Sequence, residues 1–200
     1  MNKFLQNQMT KILLIIDAQY DFLEGGKLAV NGATAAMDRL AQFIVENGPA
    51  YDKIILTTDW HPFTHCSFKD NGGMWPIHCV QHSKGAAIYE PILEALNKIK
   101  SDYIVLRKGV NEDHEEYSIF KNGKSCDKLI TICEEQLKVT DVDVVGIALD
   151  VCVFDSLKDG LRGLPNVNFH LLKDFSPAIT KEGAEKVFKY IENTSRINIA

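Results

Sequence analysis

The chain has 200 residues, 46% of them hydrophobic and 24% charged, which is enough apolar material for one well-buried domain spanning 1–200. A formal net charge of -5 with no long basic run argues against a nucleic-acid partner, and no apolar run reaches the roughly 20 residues that a membrane helix needs. Five scattered cysteines, Cys66, Cys79, Cys126, Cys133 and Cys152, argue for reduced thiols, and the start MNKFLQNQMT lacks a signal core, so a cytoplasmic location is expected.

Residues 1–10 are polar and predict a loose tail. The apolar run 12–16 predicts a buried strand that ends at Asp17, and a long loop, DAQYDFLEGGKLAVNG, follows it. Long connections in compact domains usually line sites. Residues 33–46 have helical spacing, with Met37, Leu40, Ile44 and Val45 on one face, and stop at Asn47, Gly48 and Pro49. A second strand over 53–58 ends at Asp59. From 59 to 86 there is no sustained periodicity, only a stretch dense in His, Cys, Trp, Pro and Gly, which predicts a binding loop.

A helix over 88–98 with Pro91 near its first turn comes next, then a strand over 103–106 that runs into Arg107, Lys108 and Gly109. After a polar loop, 126–138 predicts a helix capped by Ser125 or Asp127. The stretch 142–153, VDVVGIALDVCV, predicts a buried strand turning into a helix with Val153, Leu157 and Leu161 on its apolar face. Cys152 then sits near the first turn, where free N–H groups and the helix dipole favour a thiolate. A strand over 167–172, a helix over 181–190 and a short strand over 197–199 complete the chain.

Alternating strands and helices predict an α/β fold, a doubly wound, mostly parallel sheet with helices on both faces, so three αβα layers. Ligands in such sheets bind beyond the carboxyl ends of the strands. Asp17, Asp59, Lys108 and Cys152 each follow a different predicted strand, which brings four reactive residues to one rim. An inert core cysteine is the competing reading for Cys152, and this company weighs against it. A thiol needs a base, for which Asp17 is the candidate, and Lys108 at the same rim would hold that carboxylate ionised. His114 and His170 lie apart in the sequence and are expected to be surface or packing residues.

Asp59 and His61 are two residues apart and point to one side of an extended segment, and His65 and His78 are near enough to return to it. One carboxylate with two or three imidazoles suits a divalent metal, most simply Zn, with Fe or Mn as alternatives. Histidines without a metal, or a thiolate site through Cys66 and Cys79, are the competing readings. Phe22, Trp60, Trp75 and Tyr117 would supply flat walls for a planar ring.

With DAQYDF, DWHP and WPIHC, RKG and GIALDVCV in this order, the chain resembles the nicotinamidases of the isochorismatase-like cysteine hydrolase superfamily from residue 12 to the end. The isochorismatase branch is similar in fold but does not share the metal set. The resemblance implies a six-stranded sheet of order 3-2-1-4-5-6 and hydrolysis of nicotinamide to nicotinate and ammonia in NAD salvage, with pyrazinamide as a related substrate. It assigns Cys152 as nucleophile, Asp17 as proton carrier and Lys108 as its partner. The oxyanion would meet the N–H groups of Ala148 and Cys152, beside a cis peptide between Ile147 and Ala148. Asp59, His61 and His78 would bind the metal, with His65 or water as a fourth ligand, and the metal would take the ring nitrogen. Phe22 and Trp75 would sandwich the ring and Tyr117 would stand near the entrance. Leu149 replaces a common Thr and is expected to alter pocket polarity. A related amidase or a non-catalytic metal-stabilised module are the alternatives, and self-association into a homo-oligomer is left open.

Overall fold

Six parallel strands form the middle layer in the order β3-β2-β1-β4-β5-β6: β1 (Lys11–Ile16), β2 (Lys53–Asp59), β3 (Tyr103–Lys108), β4 (Asp141–Gly146), β5 (Asn168–Leu171) and β6 (Ile197–Ile199). The computed structural model describes residues 9–200. The loose tail expected over 1–10 therefore lies mostly outside the described residues. Thr10, however, is anchored, because its carbonyl accepts from the N–H groups of Thr140 and Asp141.

The central strand β1 reads KILLII, and its near-continuous apolar run follows from having helices on both faces. Its side chains alternate between two apolar layers. Leu13 and Ile15 pack with Met37, Leu40 and Ile44 of α1 (Ala33–Asn47) and with Ile92 and Leu96 of α2 (Glu90–Lys98). Ile12, Leu14 and Ile16 pack with Leu129 of α3 (Gly123–Ile130), Leu157 of α4 (Phe154–Gly163) and Val187 and Ile191 of α5 (Lys181–Glu192). The three-layer, doubly wound arrangement is thus as predicted, and all strand pairs are parallel. Among the described residues no helix is long and apolar enough to cross a membrane.

Among the boundaries that differ from the sequence reading, two have a clear local cause. The third strand continues through Lys108, because Arg107 faces outward over the Trp60 ring, 4.0 Å from its centre, while Lys108 turns inward among carboxylates. Charge there disguised strand as loop. The third helix, α3, starts at Gly123 and not at 126, capped by Asn122, whose side chain accepts from the Ser125 N–H. It then widens into a π turn over Thr131–Gln136.

The connection order reverses between β1 and β4, which are hydrogen-bonded neighbours, so a crevice opens beyond their carboxyl ends. In register, Ile16 lies opposite both Thr57 and Gly146, and Asp59 lies opposite Lys108. Gly146 has φ +128, and a Cβ there would meet the Ile16 carbonyl oxygen at 2.0 Å. Only glycine lets β4 leave the sheet this close to β1.

Candidate active site

Cys152 lies in a helical turn, Leu149–Val153, that leads straight into α4. The turn is closed on the Ala148 carbonyl, which accepts from the N–H groups of Val151 and Val153. The Ile147–Ala148 peptide is cis, as the resemblance implies. Among the described residues the Ala148 N–H has no hydrogen-bond acceptor, so it is available to a ligand beside Cys152.

Across the crevice, Asp17 leaves β1 with φ 50 and is wholly buried. Its Oδ1 accepts from Thr57 Oγ1 at 2.8 Å and its Oδ2 lies 2.8 Å from Lys108 Nζ. Lys108 is equally buried and shared, since Nζ also donates to Asp59 Oδ1 at 2.6 Å and to Cys152 Sγ at 3.5 Å. One ammonium therefore ties the thiol to two carboxylates from two other strands.

The charges follow from that sharing. Burial raises the Asp17 carboxyl above its ordinary value, with Lys108 opposing the shift and Asp59 adding to it. Burial would raise Asp59 as well, but Lys108 and His61 hold it well below the usual carboxylate range. Burial would lower Lys108, but the two carboxylates keep it firmly protonated. The expectation of a thiolate favoured by the helix start is corrected here. Burial, with Asp17 and Asp59 nearby, pushes the Cys152 thiol well up, and Lys108 only partly opposes them. The resting pair is a thiol beside a carboxyl that is itself a better base than an ordinary aspartate.

On the other side of Asp59 the histidines converge. Asp59 Oδ2 lies 3.5 Å from His61 Nε2 and 4.0 Å from His78 Nε2. One ligand atom from each of these three buried residues lies within 4.8 Å of the others, so they form a group that fits one metal ion. The far nitrogens are already committed, His61 Nδ1 to the Gly109 carbonyl at 3.0 Å and His78 Nδ1 to the Pro76 carbonyl at 2.8 Å. That makes each Nδ1 the donor and leaves each Nε2 facing the Asp59 carboxylate, free to act as a ligand atom when the imidazole is neutral. His65 is held differently: Nδ1 is 2.7 Å from Ser67 Oγ and Nε2 is 3.1 Å from the His114 carbonyl. Its ring packs tilted against His61 with centres 4.1 Å apart, and burial lowers its pKa to about 4. With both nitrogens engaged, His65 buttresses His61 and stands outside the converging group.

Phe22, Trp75, Tyr117, Ala148 and Cys152 line one cavity together with Asp59 and His78. Trp75 Nε1 donates to Tyr117 Oη at 2.9 Å, which locks the two aromatic walls together. Trp60 is outside, under Arg107. Leu149, expected at the pocket, is buried in the apolar layer of α3–α5 and does not line this cavity. Sequence reasoning missed Leu28, Val30, Glu115, Val151 and Ile179, which also line the cavity. Val151 follows from its place beside Cys152, but the NEDHEE run disguises Glu115 as a solvated loop residue.

A model of the Isochorismatase domain matches residues 11–197. The chain belongs to this family. Within it, the chain is 31% identical over 195 residues to a nicotinamidase of Acinetobacter baylyi, covering 86% of this chain and 83% of the relative. Among solved structures it is similar to PnC1 from L. infantum in complex with nicotinate, with 31% identity, a TM-score of 0.80 and 96% of each chain covered. It is likewise similar to the pyrazinamidase of Pyrococcus horikoshii in complex with zinc, with 28% identity and a TM-score of 0.80, covering 95% of this chain and 98% of that one. The six-stranded order of the isochorismatase-like fold is the order found here.

Proposed function

We propose that the protein is a nicotinamidase that hydrolyses nicotinamide to nicotinate and ammonia in NAD salvage, working in the cytoplasm as one domain, and that it accepts pyrazinamide in the same way. The observation that carries this reading is the shared ammonium of Lys108, which places a thiol, a base and a metal-binding carboxylate within one buried cluster. The relatives act on or hold nicotinamide-related rings, and the aromatic-walled cavity suits such a ring.

In this mechanism Cys152 Sγ attacks the amide carbonyl carbon as Asp17 takes the thiol proton. The oxyanion is met by the N–H groups of Ala148 and Cys152. Asp17 then gives its proton to the departing nitrogen, ammonia leaves, and the acyl group stays on Cys152 as a thioester. Asp17 next takes a proton from water, whose oxygen attacks the thioester, and the proton returns to the cysteine sulfur as nicotinate is released. Lys108 keeps Asp17 ionised between these transfers. Phe22 and Trp75 hold the ring plane, with Tyr117 at the mouth.

Asp59, His61 and His78 would hold the divalent metal, zinc by donor chemistry and iron or manganese by tolerance, with water completing the shell and His65 outside it. When bound, such an ion supplies a Lewis-acid site for a pyridine nitrogen and so orients the amide.

The test is ammonia release from nicotinamide by zinc-loaded protein. We expect Cys152→Ala to lower kcat by about 10⁴-fold or more. Full activity in that variant would contradict the proposal.

A further inference from the structure

Each of the three metal-facing side chains is braced by a buried polar residue that touches neither the cavity nor the converging ligand atoms. Gln19 is wholly buried and its amide is fully used on backbone: Nε2 donates to the Asp59 carbonyl at 2.8 Å and the Ala86 carbonyl at 2.9 Å, and Oε1 accepts from the Asp59 N–H at 2.8 Å. Asp21 Oδ2 accepts from the N–H of Cys79, the residue after His78, at 2.7 Å, and its Oδ1 accepts from the Lys27 N–H at 3.2 Å. Glu116 Oε2 accepts from the Gly109 N–H at 2.7 Å and from Asn122 Nδ2 at 2.9 Å. Gly109 in turn presents the carbonyl that holds His61 Nδ1. Its own φ is +64, and a Cβ there would meet the His61 ring at 2.3 Å, so the loop is moulded around that imidazole.

Resting on the reading that Asp59, His61 and His78 hold a divalent cation, we infer that Gln19, Asp21 and Glu116 are positioning residues for it, one for each ligand. Two physical arguments support the assignment. His61 and His78 lie beyond the strands, where no sheet ladder fixes the chain, and a metal site needs its donors held within about 0.5 Å. Side-chain bonds to the backbone beside each ligand supply that restraint. The second argument is charge. Among the described residues, the carboxyl groups of Asp17, Asp21, Asp59 and Glu116 are all buried, while Lys108 is the only lysine or arginine that is. Buried carboxylates in excess of cations are costly, and a bound divalent ion offsets that cost. Bracing alone could use neutral side chains, and two of the three braces are acids.

The experiment compares wild type with Glu116→Ala, Glu116→Gln and Glu116→Asp, each stripped of metal. Zinc affinity is measured by competition with a chromophoric chelator, and the visible absorption of the cobalt(II) form is recorded. Thermal unfolding of each stripped protein is followed in parallel. Glu116→Ala is expected to bind zinc about 10- to 100-fold more weakly and to give an altered cobalt spectrum. Glu116→Gln keeps an oxygen acceptor for Gly109 and Asn122 but not the charge, so it should restore the spectrum and recover most, not all, of the lost affinity. Wild-type affinity and spectrum in Glu116→Ala would overturn the inference, as would a Glu116→Gln variant as weak as Glu116→Ala. If the alanine variant does not fold, Glu116→Asp decides: its shorter side chain draws the carboxylate off Gly109, so unweakened zinc binding in it also overturns the inference. The same titration on Asp21→Ala and Gln19→Leu reads the His78 and Asp59 arms, and wild-type affinity in either removes that residue from the set. Wild-type protein that binds no zinc would refute the metal reading itself, which is a separate result.

Discussion

The two halves of the site are built by different means. The nucleophile half, Asp17, Lys108 and Cys152, stands at the carboxyl ends of β1, β3 and β4, and parallel ladders set the relative heights of those ends. The metal half takes only Asp59 from a strand and draws His61 and His78 from an irregular segment. That segment is tied by isolated bridges, His61 to Val80 and Phe68 to Trp75, and by side-chain bonds to backbone. Lys108 is the joint between the halves. The sheet places the nucleophile half, whereas the other half is placed by loop bridges and buried side-chain bonds to backbone.

Removing the joint should break both halves at once. Lys108→Met leaves two buried carboxylates without their counter-charge, so urea unfolding should show a loss of about 3–5 kcal/mol. Zinc affinity and ammonia release should fall together. A variant that lost activity but kept stability and zinc would show that the halves are independent.

Metal removal should separate them. On chelation, amide hydrogen exchange over residues 61–79 should quicken by about tenfold or more, while β1 and β4 stay protected. Equal quickening in the strands would mean that the ion supports the whole sheet.

A gentler change sharpens the picture of the nucleophile half. The base form of Asp17 must be present for attack, so ammonia release should fall as pH drops through a pKa above 3.8. Thr57→Val deletes a donor to the ionised carboxylate, which raises that pKa further. The acid limb of kcat/KM should therefore move to higher pH, by about half to one unit. The linked stability effect has the matching sign: a carboxyl with a raised folded pKa costs stability as pH rises between its unfolded and folded values. An unmoved limb would take Asp17 out of the proton transfer.

Much of the nucleophile half was legible in the sequence, because buried strands announce themselves as apolar runs and end at reactive residues. KILLII stops before Asp17, and DVVG stops before the turn to Cys152. The metal half was legible only as a composition, a density of histidines around Asp59, and the structure leaves His65 outside the group. Lys108 was placed after its strand because a charged pair resembles a loop. Leu149 was placed in the pocket because it stands where the resemblance puts a Thr, and the structure leaves it off the cavity wall. Gln19 and Asp21 lie inside the DAQYDF motif, yet neither they nor Glu116 was singled out, because their bonds beside the three ligands go to backbone groups, which no residue pattern reveals. The Cys152 thiol was misjudged because helix position is local, while what raises it is burial in the folded core, to which carboxylates at the ends of β1 and β2 add.

The central claim is that Cys152 carries the acyl group of a pyridine amide between two proton transfers by Asp17. The most direct measurement is mass spectrometry of zinc-loaded protein quenched in acid during turnover of nicotinamide. The account predicts a pyridine-carbonyl adduct on the peptide that contains Cys152, formed in the wild type and absent in Cys152→Ala. Steady ammonia release with no adduct on that peptide, and undiminished in Cys152→Ala, would contradict it.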